Sequence, residues 1–403
     1  MIYKKIINSM ISLHEPFFDK NEKKILHDCI ESTWVSTSGK YIEEFEIEIV
    51  KYTGAKYAVS CINGTSALQI SLLLLKIKND EEVITPSLTF ISPINAIKYN
   101  NANPVFMDSD NFYTIDIKKT IEFILKKTTL VKIKKNGKFF YVSVNKDTKK
   151  IIRALIVVHV FGNPVYLDKL KKICDQRKIK IVEDAAESLG SFYTKGKYKK
   201  RHVGTIGELG CLSFNGNKII TSGGGGMILT NNKSLATKAK YLINQAKNDP
   251  LFYKHNEIGY NFRLSNLHAS LGLVQLYKLK KFLFFKKKIH TQYSKFFSNI
   301  EYLNISDIPK YASSNYWLNI LEINKKINKT GFKKIVSDLK KLKIEVRPIW
   351  KPNHLQKMYN KYQQYKINNI KSFYFNRLCL PSSPMLTNKE VNYVCKSILK
   401  VIN

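Results

Sequence analysis

Lys218 differs in its surroundings from the other basic residues of the chain. Ser213, Phe214, Asn215 and Asn217 precede it, and a run of four glycines at residues 223–226 follows. Such a run lets backbone come close to a ligand without a Cβ in the way, and a desolvated lysine beside it can condense with an aldehyde to form an imine. Asp184 lies 34 positions earlier, at the end of the apolar run IVED. In an open α/β sheet that is the edge where ligands bind. A carboxylate buried there needs a cationic partner, and a protonated pyridine nitrogen is one. Taken singly, each residue has a plainer use: Asp184 suits the cap of the next helix, and Lys218 suits a solvated surface.

Two further groups have the same double character. Asn63, Gly64, Thr65 and Ser66 spell a turn into a helix whose hydroxyls and amide N–H groups can cradle a phosphate, or serve as an ordinary N-cap. The lysine and spacing of a nucleotide-triphosphate loop are absent. Phe90, after the apolar run at residues 83–85, can present its ring to a planar ligand or join the core. Asn261 and Arg263 precede a helix in a turn that exposes polar groups, where Arg263 equally suits an ion pair; His159 and His354 read singly as structural. A phosphate cradle, a stacking aromatic, a strand-end Asp and an imine-forming Lys, in that order, are what pyridoxal 5'-phosphate requires.

Holding these groups in place is a task for strand ends. Apolar runs at residues 58–61, 83–85, 104–107, 151–160 and 179–182 read as strands, with helical patterns between most of them and a buried helix over 63–77. The alternation predicts an α/β fold with a mainly parallel central sheet and helices on both faces. An Asn-Gly turn flanked by alternating apolar positions predicts a surface hairpin insertion at about 130–150. Beyond about residue 250 a helical stretch at 265–297, runs at 317–323 and 345–350 and the tail after 388 predict a smaller α+β domain. The expected division is therefore a large domain over 1–250 and a smaller one over 251–403, with no linker between them and an extensive shared interface.

The composition bounds what this site can serve. The 403 residues are 44% hydrophobic and 24% charged, which excludes a disordered, collagen-like or disulfide-scaffold chain. Lys and Arg number 67 against 31 Asp and Glu, a formal net charge of +36. On its own that balance points to nucleic acid or an anionic membrane. The charges are spread along the chain, mostly as Lys, and the densest run, at 278–288, has apolar residues at near-helical spacing, so solvated helix faces come ahead of a polyanion-binding surface. No nucleic-acid-binding motif accompanies them. The six cysteines form no C-x-x-C pair, so neither a metal site nor a disulfide framework is expected. The opening residues lack a sustained apolar segment and no apolar run approaches about 18 residues, so a cytoplasmic protein without stable membrane insertion is expected.

EDAAESLGS at 183–191, SFNGNKIITSGGGGM at 213–227 and GYNFRLS at 259–265 resemble the DegT/StrS-type sugar aminotransferases, fold-type I pyridoxal-phosphate enzymes. The similarity runs from WVSTSGKYIEEFE at residue 34 to RPIW at residue 347. It implies that Lys218 is the Schiff-base lysine and Asp184 the carboxylate on the pyridine nitrogen. Glu187 falls where the family places a group near the cofactor's phenolic oxygen, Phe90 where it places the stacking ring, and Gly64, Thr65 and Ser213 at phosphate-binding positions. Asn261 matches a residue reaching the phosphate of the neighbouring subunit, which implies a homodimer with shared active sites. Trp34, Arg347 and His354 match candidate nucleotide-sugar contacts. Glu187, the NGNKIITSGGGGM wording and the insertion are similar to the LegC-type subgroup, which implies C4 amination of a UDP-linked 4-keto-6-deoxy-N-acetylhexosamine with L-glutamate as donor and 2-oxoglutarate as by-product. A GDP-perosamine-type or 3-keto-sugar aminotransferase is the alternative. Ser222 and the four glycines replace the T-G-E-G-G of many relatives, and the presence of Lys218 argues against the dehydratase branch, where a His takes its place.

Overall fold

The computed structural model describes residues 10–135, 137–249 and 251–402. Residues 1–9, read above for a leader segment, and Asn136 of the hairpin turn lie outside the described residues.

The strand Ile151–Val158, IIRALIVV, is almost wholly buried, as a strand covered on both faces must be. It lies at the middle of the main sheet, which runs Tyr57–Cys61, Gly226–Thr230, Leu209–Ser213, Lys180–Asp184, Ile151–Val158, Glu82–Pro86, Asn103–Met107, Gln364–Tyr365. Val158 pairs with Asp184 and Asp184 with Cys211, both in parallel register. Gly226–Thr230 is antiparallel to both of its neighbours, so Tyr57–Cys61 points the same way as the parallel set. The sheet is mixed and mostly parallel, the α/β class read from the sequence.

The hairpin Thr128–Lys135 and Lys138–Asn145 is less detached than the sequence implies. Ser143 and Val144 pair with Ile152 and Ile151, so its base extends the main sheet through an antiparallel step. Apolar side chains from the two faces of the sheet form separate cores. Phe45, Leu155, Ile181 and Phe282 belong to one, and Val59, Ile70, Ile156 and Ile228 to the other.

A second, antiparallel sheet runs Leu303–Ile305, Asn319–Ile323, Arg377–Leu380, Arg347–Pro348. Helices Lys329–Lys341 and Asn388–Ile402 share its core through Leu321, Phe332, Leu339 and Ile398. The two sheets are tied together by chain that crosses between them. The 32-residue helix Asn266–Phe297 packs on helices Lys20–Glu31 and Lys40–Thr53 and also on Leu303–Ile305 and Asn388–Ile402. Ile11 forms a bridge with Ile344, and Gln364–Tyr365 returns to pair with Phe106 and Met107.

Candidate active site

Seven of the eight strands in the order of the main sheet point the same way, and the segments leaving four of their carboxyl ends meet. Asn63 to Thr65, Thr89 and Phe90, Asp184 to Glu187, and Ser213 to Lys218 surround one cavity of about 700 Å3. Its other wall is Trp317, Leu318, Glu345, Arg347 and Trp350 from the segment after residue 300, with Leu13 and His14 from the start of the described chain.

Side-chain alternation separates the two carboxylates of the Glu-Asp pair. Glu183 is fully buried and accepts from His159 Nε2 at 3.0 Å, from the Gly204 N–H at 2.8 Å and from the Ile206 and Gly207 N–H groups at 2.6 Å. The Val165 N–H donates to His159 Nδ1, which leaves the imidazole proton on Nε2, aimed at Glu183. That carboxylate is structural. Asp184 turns to the cavity and accepts from the Ala186 N–H at 3.0 Å. Burial pushes its carboxyl up, against the pull of that amide and of the Lys218 charge. Its anion gains from any further cation placed before it.

Lys218 leaves a turn in which its N–H donates to Asn215 O at 3.0 Å. Its Nζ lies 3.5 Å from Glu187 Oε1 and 4.3 Å from the centre of the Trp317 ring. That ring is fixed by Nε1 donating to Asn217 O at 2.7 Å. Glu187 accepts from the Phe161 N–H at 2.8 Å. Phe161 holds φ +56°, a left-handed conformation that a bulky residue adopts only when its surroundings enforce it. Burial pushes the Glu187 carboxyl up to about 7, with Lys218 opposing.

The helix Gly64–Leu74 begins at the cavity. Asn63 Oδ1 caps it by accepting the Ser66 N–H at 2.8 Å, so the Ser66 amide is taken, and buried Ser66 does not line the cavity. Gly64 and Thr65 do. A Cβ on Gly64 would lie 2.9 Å from Ser213 Cβ, so the space between these two chain segments is kept by the lack of a side chain. Phe90 is 53% exposed, with its ring 6.1 Å from that of Trp350. A buried strand-end carboxylate, a lysine with a carboxylate at its side, a helix start and an open aromatic face fit the nitrogen, aldehyde, phosphate and ring of pyridoxal phosphate.

Other residues singled out in the sequence lie differently. Arg347 lines the cavity in an ion pair with Glu345 at 2.6 Å. His354 is buried with Nδ1 2.5 Å from Ser87 Oγ and does not line it. Trp34 is exposed away from the cavity, its carbonyl accepting from Asn266 Nδ2 at 2.7 Å. Asn261 is exposed and does not line the cavity of its own chain. The wall residues Trp317 and Trp350, and buried Phe161 stacked against them, went unremarked as site residues. Their rings stack, with Phe161 and Trp350 4.8 Å apart. Two of the chain's three tryptophans meeting here was the available signal, but nothing in their spacing joins them.

The sequence matches the DegT/DnrJ/EryC1/StrS aminotransferase family over residues 16–399. It is 33% identical over 390 residues to GDP-perosamine synthase of Escherichia coli O157:H7, covering 96% of this chain and 97% of that protein. It is 28% identical over 371 residues to UDP-4-amino-4,6-dideoxy-N-acetyl-beta-L-altrosamine transaminase of Campylobacter jejuni, covering 91% of each. Among solved structures, Helicobacter pylori PseC, an aminotransferase of pseudoaminic acid biosynthesis, superposes with a TM-score of 0.82 at 23% identity, covering 98% of this chain and 99% of that one.

Proposed function

The chain belongs to the DegT/DnrJ/EryC1/StrS aminotransferase family and is a pyridoxal-phosphate-dependent nucleotide-sugar aminotransferase, and from that premise we propose that it aminates C4 of a UDP-linked 4-keto-6-deoxy-N-acetylhexosamine with L-glutamate. The convergence of Lys218, Asp184, Glu187 and the Gly64 helix start on one cavity carries the catalytic part. Glu187 and the glycine-turn wording support the UDP-linked substrate. A GDP-linked 4-keto sugar is the second reading, favoured by the 33% and 31% identity to GDP-perosamine synthases of Escherichia coli and Vibrio cholerae.

In this reading Gly64, Thr65 and Ser213 hold the phosphate, Phe90 covers one face of the ring, and Asp184 keeps a proton on the pyridine nitrogen. Pyridoxal phosphate, when bound, supplies an aldehyde for imine formation and a ring that takes up electrons from the reacting carbon. Lys218 would hold the cofactor through that aldehyde, and its Nζ, when free, is placed to carry a proton to and from the substrate carbon. Glu187, beside that Nζ, steadies the lysine in the position from which it works. Trp317 shields the amine from water. Glutamate would give up its amino group and leave as 2-oxoglutarate before the keto sugar enters to receive that group, so ping-pong kinetics are expected.

We also propose a cytoplasmic homodimer whose active sites borrow Asn261 from the partner subunit. Asn261 follows an exposed apolar stretch in which Leu251, Phe252, Tyr253 and Ile258 are each at least 70% accessible, a surface that a second copy would cover. Among the described residues no helix is long and apolar enough to cross a membrane. An activity panel of UDP- and GDP-linked 3-keto and 4-keto sugars with glutamate, read by product mass and configuration at the new amine, tests the substrate. Turnover of the GDP-linked sugars alone overturns the UDP assignment.

A further inference from the structure

The stretch around His14 is clamped to the smaller sheet. The Ile11 N–H donates to Lys343 O at 2.8 Å and the Glu345 N–H to Ile11 O at 2.9 Å. The Leu13 N–H donates to Glu345 Oε2 at 3.0 Å, the Ser382 N–H to Leu13 O at 2.8 Å and the Glu15 N–H to Ser383 Oγ at 2.8 Å. With backbone fixed on both sides, the imidazole of His14 is held against the cavity that contains Lys218. Both of its ring nitrogens are out of reach of solvent, and neither has a hydrogen-bond partner among the described residues. Two unmet polar atoms at a cavity wall are costly in the protein alone and become useful when a ligand meets them.

The charges around the ring decide what that ligand is. Burial, then Lys286, then Lys218 hold the imidazole well below its usual range, so it is neutral at pH 7. Lys286 is itself fully buried and donates to Trp317 O at 2.7 Å and Ser382 O at 2.6 Å, which fixes the amine in place, while burial pulls its own pKa well below the usual lysine range and leaves burial of the imidazole as the main cause of its neutrality. A neutral imidazole has one N–H and one bare lone pair. A carboxylate or phosphate can meet only the first, whereas a hydroxyl, which both donates and accepts, can meet whichever of the two it faces.

We propose that His14 binds a ring hydroxyl of the sugar in the nucleotide-sugar substrate, and so acts in the sugar half of the reaction and not in the glutamate half. The proposal rests on the nucleotide-sugar reading given above. With holoenzyme, His14→Ala should raise the KM for the keto sugar about tenfold, the loss expected for one hydrogen bond that leaves a partner unmet, with kcat unchanged. The glutamate half-reaction, followed without sugar through the cofactor's absorbance, should keep its rate. His14→Gln retains one donor and one acceptor and should recover part of the loss; it is read in the same way if the alanine variant fails to fold. An unchanged sugar KM, or a glutamate half-reaction slowed as much as the sugar half-reaction, overturns the proposal. Calorimetry separates its failure from that of the substrate reading: His14→Ala should weaken UDP- or GDP-linked 4-keto-6-deoxy sugar about tenfold but leave free UDP and GDP unaffected. Equal binding of the sugars by both proteins overturns the role of His14 even where turnover of one carrier fails.

Discussion

Glu187 is subject to two opposed influences that a titration can separate. Burial raises its carboxyl from 4.5 to about 7, while the Lys218 charge pulls the other way. A raised folded-state value means that the unfolded chain gives up its proton first as the pH climbs. Stability from this group is therefore whole below about 4.5 and is lost as the pH rises to about 7, by about 3 kcal/mol. In cofactor-free protein, Glu187→Gln should abolish that part of the decline, so the unfolding midpoints of the two proteins should converge at acid pH and separate towards neutrality. A constant offset across the range would show that Glu187 does not titrate there. Lys218 is tested by borohydride reduction and peptide mapping, where a pyridoxyl adduct on any other lysine rejects it, and Lys218→Ala should lower transamination at least about a hundredfold. Asp184→Asn should fold, retain cofactor poorly and turn over far more slowly. The chemistry of these three residues was legible because each stands in a contiguous motif. His14, Trp317 and Trp350 were not, since the chain brings them to the cavity from about 100 to 200 residues away from Lys218.

At the level of elements, the glycines on either side of Lys218 do different work. A Cβ on Gly226 would run into the Asn63 backbone and lie 2.7 Å from Gly64 N, whereas Gly216 has open space around it. Gly226→Ala should therefore push the strand Gly226–Thr230 off the helix start that is proposed to hold phosphate. A destabilisation of about 1–3 kcal/mol with weakened cofactor retention is expected, while Gly216→Ala should be close to neutral; equal stability of the two variants would contradict this packing. Leu209–Ser213 and Gly226–Thr230 were not read as strands, but five others of the main sheet were readable from their apolar runs to within a residue or two, because burial on both faces favours such runs. Their order was not. Tyr57–Cys61 pairs with Gly226–Thr230 and not with any strand near it in sequence, and the hairpin read as a surface insertion joins the start of Ile151–Val158, where Ile151 and Ile152 precede the residues paired with Lys180–Asp184. Gln364–Tyr365 is a two-residue strand in the polar stretch KYQQYK, which carries no strand signal at all.

For the whole molecule, the proposed sharing of Asn261 makes a mixing experiment decisive. Lys218→Ala and Asn261→Ala subunits, unfolded or dissociated together and reassembled, should regain about a quarter of normal activity, because half of the dimers are mixed and each mixed dimer has one intact site. No recovery would place Asn261 in its own subunit's site. The +36 charge acts at the same scale: kcat/KM for an anionic nucleotide sugar should fall as salt rises from low ionic strength, with kcat unchanged, and a flat response would remove steering from the account. The pairing of Tyr57–Cys61 with Gly226–Thr230, and of Ile11 with Ile344, has a further consequence for how the protein is made. The first strand of the main sheet waits on the ribosome for a partner synthesised some 170 residues later, and His14 is not anchored until residue 344 has emerged. Early segments must stay soluble without their neighbours for most of translation. A truncated product ending before the smaller sheet would therefore leave the ribosome with one wall of its active site missing.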